Sequence, residues 1–167
     1  MSQATITEVI NGVNVDRLGG MIRTVQENPN LGTFQFRAKN RWMTGAHNSS
    51  TIQGFYGAGQ EYETRKKPFV LDSDEPPVLL GTDQGPNPYE FVLHALAAGL
   101  TTSLVYHAAV RGIHLESVES TLEGDLDVQG YRPARCRLCE CGFSLVATHS
   151  SDAGKKGPAR CRCLGIA

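Results

Sequence analysis

The first 130 residues contain no cysteine; all five thiols, Cys136, Cys139, Cys141, Cys161 and Cys163, fall in the remaining stretch. Whatever the larger part of the chain does, it does without a nucleophilic sulfur. The chain also lacks an excess of charge. Its net charge of −1 gives no general reason to expect nucleic acid as a partner. A basic start followed by an apolar run is missing at the N-terminus, so no secretory signal is expected and a cytoplasmic location is. The longest nearly uncharged apolar stretch, Phe91 to Val110, is interrupted by two histidines and several threonines and serines. It is expected to fall short of a membrane span. Internal repeats are absent, and Gly81–Gly85 does not continue into the Gly-Lys that opens a phosphate-loop helix.

What is present suits one ordinary domain. Of 167 residues, 40% are hydrophobic and 20% charged, which allows a sizeable core and argues against a disordered chain. Charge is unevenly placed, however. Residues 1–130 carry 9 basic and 15 acidic side chains, whereas residues 131–167 carry 7 and 2. With the cysteines on the same side of the break, this predicts a domain over 1–130 and an atypical Cys/Arg-rich tail over 131–167, disordered or foreign to the fold.

Leu18, Met21, Ile22 and Val25 recur at helical spacing after Asn14, and Asn28-Pro29-Asn30 stops them, which predicts a helix over 15–27. From Gly32 the period changes to two, with Phe34, Phe36, Ala38 and Asn40 on one face of a half-buried strand. A turn over Thr44–Ser49, a strand over Thr51–Tyr56 and another over Pro68–Asp72 complete an antiparallel meander, because the gaps are too short for helical crossovers. Asn87 is a good N-cap, Pro88 suits the first helical position, and Glu90 completes a capping box; Gly112 suits the far end. The helix between them is apolar nearly all round, which predicts burial. Val118 to Val128 alternates again, with Glu119, Thr121, Glu123, Asp125 and Asp127 on one acidic face. Beyond Tyr131 only Gly142–Thr148 has the composition of a strand.

Gly81-Thr82-Asp83-Gln84-Gly85-Pro86-Asn87-Pro88 and Leu93-His94-Ala95-Leu96-Ala97-Ala98-Gly99-Leu100-Thr101 resemble the OsmC/Ohr family, the osmotically inducible and organic hydroperoxide resistance proteins. Asp72–Pro77, the segment from Trp42 to Ser49, and Leu115–Gly130 are similar to one OsmC-like branch. The resemblance covers roughly 10–130. It implies an α+β fold with a strongly bent antiparallel sheet around a long buried central helix, and a tightly intertwined homodimer. It also implies reduction of hydroperoxides by a pair of cysteines recycled by a dithiol, with no further cofactor.

That chemistry needs a thiolate on the helix. The thiolate attacks the peroxide oxygen, and a second cysteine captures the resulting sulfenic acid as a disulfide. In the family the attacking cysteine follows the Leu/Ala run, and here that position is Gly99. The family's glutamate after the Asn-Pro pair, which helps hold an arginine near the thiolate, is replaced by Tyr89. Glu90 is explained as a helix cap, with an active-site role carried by analogy alone. Arg37 and Arg41 are weak candidates for the guanidinium, since solvated strand charges account for them. The resemblance thus implies a peroxidase scaffold inactive as written. The alternatives are a non-catalytic binder of a small apolar ligand, or a metal or redox module built on the tail.

For the last reading, Cys136, Cys139, Cys161 and Cys163 form two close pairs of thiolates for a tetrahedral zinc. Cys161-x-Cys163 is tighter than the usual knuckle, and the interleaved Arg135, Arg137, Arg160 and Arg162 suit charge compensation and a non-native tail equally. Translation of a GC-rich gene in a shifted frame produces this composition too. His94 and His107, thirteen residues apart, lie on roughly opposite helix faces at about 100° per residue and cannot share a metal. His47, His114 and His149 are expected to be solvated, and Thr101 and Ser103 to be packing hydroxyls.

Overall fold

A computed structural model describes residues 8–128 and 143–152. The chain divides into two units with a boundary at Phe91/Val92, inside the first turns of the long helix.

In the first unit a two-residue hairpin, β1 (Val9–Ile10) and β2 (Val13–Asn14), leads into α1 (Val15–Glu27). The helix begins where its sequence says, because the Asn14 side chain accepts the Arg17 amide at 2.8 Å. Six strands follow: β3 (Gln35–Phe36), β4 (Lys39–Thr44), β5 (His47–Ile52), β6 (Phe55–Gly57), β7 (Gln60–Tyr62) and β8 (Phe69–Ser73). They pair antiparallel as β3-β6-β7 and β4-β5-β8. The meander expected from the sequence is therefore present, but the first two expected strands are broken, while the third holds as β8, one residue later than expected. Residues 37–38 and 53–54 interrupt the first two runs and residues 63–68 connect β7 to β8, so one bent meander becomes two three-stranded sheets. The expected turn over Thr44–Ser49 also shrinks. Trp42 donates its indole N–H to the Gly45 carbonyl at 2.9 Å and Gly45 takes φ +56°, so β5 starts at His47. On β3-β6-β7, Phe55 stacks on Tyr62 and packs at a tilt against Phe36, with centroids 5.0 and 5.3 Å apart.

The long helix α2 (Pro88–Val110) has both ends that its sequence specifies. Asn87 accepts the Tyr89 amide through Oδ1 while Glu90 accepts the Asn87 amide, each at 2.8 Å, a reciprocal capping box. At the other end Gly112, at φ +67°, donates to Ala109 and Ile113 donates to Ala108, closing a Schellman motif. At 23 residues, with an apolar window of mean hydropathy 1.3, α2 is long and apolar enough to cross a membrane by length and composition. This corrects the expectation that it falls short; core helices of soluble proteins meet the same criterion.

The second unit pairs β9 (Ser117–Leu126) with β10 (Phe143–Asp152) over ten residues each. In β9 the expected alternation holds: Val118, Ser120 and Leu122 are half-buried, and Glu119, Thr121 and Glu123 exposed.

The core is smaller than the composition suggests. Among the described residues only Ile10, Ala108 and Ala109 are buried apolar side chains, and Val92, Tyr106 and Val110 of α2 are 46–49% exposed. Among the described residues only Ala108 and Ala109 of α2 are fully buried, contrary to the expected burial.

Candidate functional site

The most ordered polar cluster of the first unit is the connection from β8 to α2. Asp74 is 1% exposed, and its carboxylate is filled by donors from its own loop. Oδ2 accepts the Thr82 hydroxyl at 2.7 Å and the amides of Thr82 and Gln84 at 3.0 and 3.3 Å, while Oδ1 accepts the Glu75 amide at 2.8 Å. The Thr82 hydroxyl, helped by the three amides and opposed by burial, holds the carboxyl down at a pKa of about 2. Gly81 and Gly85 permit this closure. A Cβ at either would meet the backbone of Glu75 or Asp72 well inside van der Waals contact. Ser73 donates to the Pro86 carbonyl at 2.9 Å, and Asn87 donates to the Glu75 carboxylate. The loop is thereby pinned to the residue that caps α2, and it fixes where Tyr89 and Glu90 stand.

The position that the resemblance assigns to the attacking sulfur is Gly99, in the middle of α2. A Cβ built there meets nothing within 4 Å, so the missing side chain leaves open space. Val92, Gly99, Ser103, Tyr106 and Val110 fall within a narrow arc of the helix at about 100° per residue, and all five are exposed. Tyr89 is half-buried and donates its amide to the cap, and Glu90 is the capping carboxylate, the bond that its spacing from Asn87 predicts.

Arg37 lies between β3 and β4. Its guanidinium donates to Glu61 at 2.9 and 2.8 Å and to the Gln35 side chain at 3.2 and 2.7 Å. The bond to Glu61 raises the Arg37 pKa and lowers that of Glu61. All three guanidinium nitrogens are thus engaged within the meander, and none bonds Glu90. Arg41 is exposed on β4, opposite Ser49. His47 corrects its expectation: the side chain is 14% exposed, with Nε2 3.4 Å from Asp72. His114 is exposed as expected, His94 and His107 are exposed too, and the His149 side chain lies outside the described residues.

Cys136, Cys139, Cys141, Cys161 and Cys163, and with them the zinc reading, lie outside the described residues. Among the described residues no group of three or more His, Cys, Asp or Glu is placed to hold a metal.

Reading the sequence missed the Asp74 cluster. The available signal was an acidic residue at a strand end, followed eight residues later by a Thr between glycines.

Compared with known proteins, residues 81–154 match the family model described as OsmC-like protein. The match begins later than the roughly 10–130 expected and runs on through β10. No curated protein matches the chain.

Proposed function

We propose, from the match of residues 81–154 to the OsmC-like family model, that the chain is a hydroperoxide-reductase scaffold without the peroxidatic thiol. The observation that carries this is Gly99. Covalent reduction of a peroxide requires a sulfur that attacks one oxygen while the O–O bond breaks, and glycine offers no atom to attack with. Neither Tyr89 nor Arg37 replaces that function. Neither side chain carries a sulfur, and the Arg37 guanidinium is engaged by Glu61 and Gln35.

The scaffold works as a homodimer in this reading. The support is α2, an apolar helix in which only Ala108 and Ala109 are fully buried among the described residues, with Val92, Tyr106 and Val110 exposed. Leaving it in water costs about 25 cal/mol per Å² of apolar area, which a second copy recovers. A long central helix buried in an intertwined dimer then follows. The open space at Gly99 favours a second reading, in which an organic hydroperoxide or another small apolar ligand lodges there without turnover. Location in the cytoplasm belongs to the same proposal.

The test is consumption of cumene hydroperoxide with dithiothreitol or a lipoyl dithiol. Loss no faster than the dithiol alone is expected, and turnover beyond stoichiometry overturns the proposal.

A further inference from the structure

The breaks at 37–38 and 53–54 and the connection from β7 to β8 line up across the meander. Residues 37–38, 53–54 and 63–68 leave a cleft of about 330 Å³ at the bend, lined by Arg37, Ala38, Lys39, Thr51, Gln53 and Pro68 among others. This volume is at the small end of the range for ligand sites. The lining contains no carboxylate.

Its polar groups have distinct roles. Arg37 is neutralised by Glu61 and held rigid by Gln35, so it forms a wall rather than a free charge. Lys39, by contrast, has no side-chain hydrogen bond or ion pair among the described residues. It stands in register with Thr51 across β4 and β5, which puts an ammonium beside a hydroxyl donor. The Gln53 carbonyl is taken by Arg65 at 3.0 Å, and Arg65-Lys66-Lys67 runs directly into Pro68. The segments 37–39, 51–54 and 60–68 together hold five basic residues against Glu61 and Glu63. An excess of three positive charges favours a doubly charged oxyanion over a singly charged one. Ala38 and Pro68 add an apolar wall for a small organic group on that anion.

We propose that this cleft is a binding site for a small phosphate monoester, with Lys39 as the ion-pairing group and Thr51 as a hydrogen-bond donor to the phosphate. The site uses no residue of α2 and is independent of what stands at position 99.

The experiment is a titration of the full chain with phenyl phosphate at constant ionic strength, followed by backbone amide chemical shifts, with phenol as the uncharged control. Saturable shifts at Lys39, Thr51 and Gln53 are expected, absent with phenol. Lys39→Ala should weaken the affinity about tenfold or more and Thr51→Val by a smaller factor, as for a lost charge-assisted and a lost neutral hydrogen bond. Both side chains are exposed, so neither substitution threatens the fold. Equal response to phenol, shifts confined to Arg65-Lys66-Lys67, or unchanged affinity in Lys39→Ala would each overturn the proposal.

Discussion

Asp74 and Thr82, eight residues apart, are joined twice: the Asp74 carboxylate accepts both the hydroxyl and the amide of Thr82, at 2.7 and 3.0 Å. Asp74 directly follows the last residue of β8, and Thr82 belongs to the loop that delivers the cap of α2. The pair therefore sets how the chain leaves the sheet and enters the helix. A buried carboxylate with four donors is held in one rotamer and cannot be replaced by a group that offers a different count of acceptors.

Asp74→Asn should destabilise the chain, because one acceptor oxygen becomes an NH₂ facing donors. The pH dependence follows from the sign of the shift. The folded-state pKa, about 2, lies below the ordinary 3.8, so the stabilisation is complete above the ordinary value and fades as pH falls through about 2. Urea unfolding should show the wild type losing stability on acidification below about pH 4, with that component absent in Asp74→Asn. A wild-type Asp74 carboxyl that titrates at its ordinary value by NMR counts against the arrangement.

Gly81→Ala and Gly85→Ala should each cost about 1–3 kcal/mol or more, since the added methyl meets backbone that cannot swing aside. Gly99→Ala, into open space, should instead gain up to about 1 kcal/mol from helix propensity. Thermal unfolding of the three variants checks the contrast, and equal effects at all three positions would contradict it.

Light scattering at micromolar concentration should give about twice the 18.1 kDa chain mass. A monomeric mass with a well-folded spectrum would remove the homodimer and leave the exposure of Val92, Tyr106 and Val110 without a partner.

Gly99→Cys should fold as well as the parent, because the side chain enters free space and replaces the residue least suited to a helix interior after proline. The new thiol should give peroxide-dependent sulfenic acid that external thiol must reduce. Full turnover is not expected, with Tyr89 where the family has glutamate. A thiol that titrates at its ordinary value of about 8.5, and reacts no faster than free cysteine, would show that the scaffold does not activate it and would favour ligand binding.

Both helices and the alternation of β9 were legible in the sequence. The Asn14 cap, the Asn87/Glu90 box and the Gly112 terminus all join residues within five positions of each other, so the residue types carry the whole signal. The resemblance that the family model matches over 81–154 was legible for a similar reason: its motif is a contiguous loop and helix, and the absence of a sulfur at Gly99 is a property of the sequence alone. Tertiary structure decided the rest. Arg37 meets Glu61 across 24 residues, and His47 meets Asp72 across 25. Period-two alternation says which face a side chain takes but not which strand lies beside it, so these partners depend on register. The breaks at 37–38 and 53–54 and the connection at 63–68 open a cleft only because β3 to β8 stack them side by side. Gly81 and Gly85 read as ordinary loop glycines until the backbones of Glu75 and Asp72 are seen to pass where a Cβ would stand. Close approach of two distant segments leaves no periodicity in the sequence, and only the folded chain brings them together.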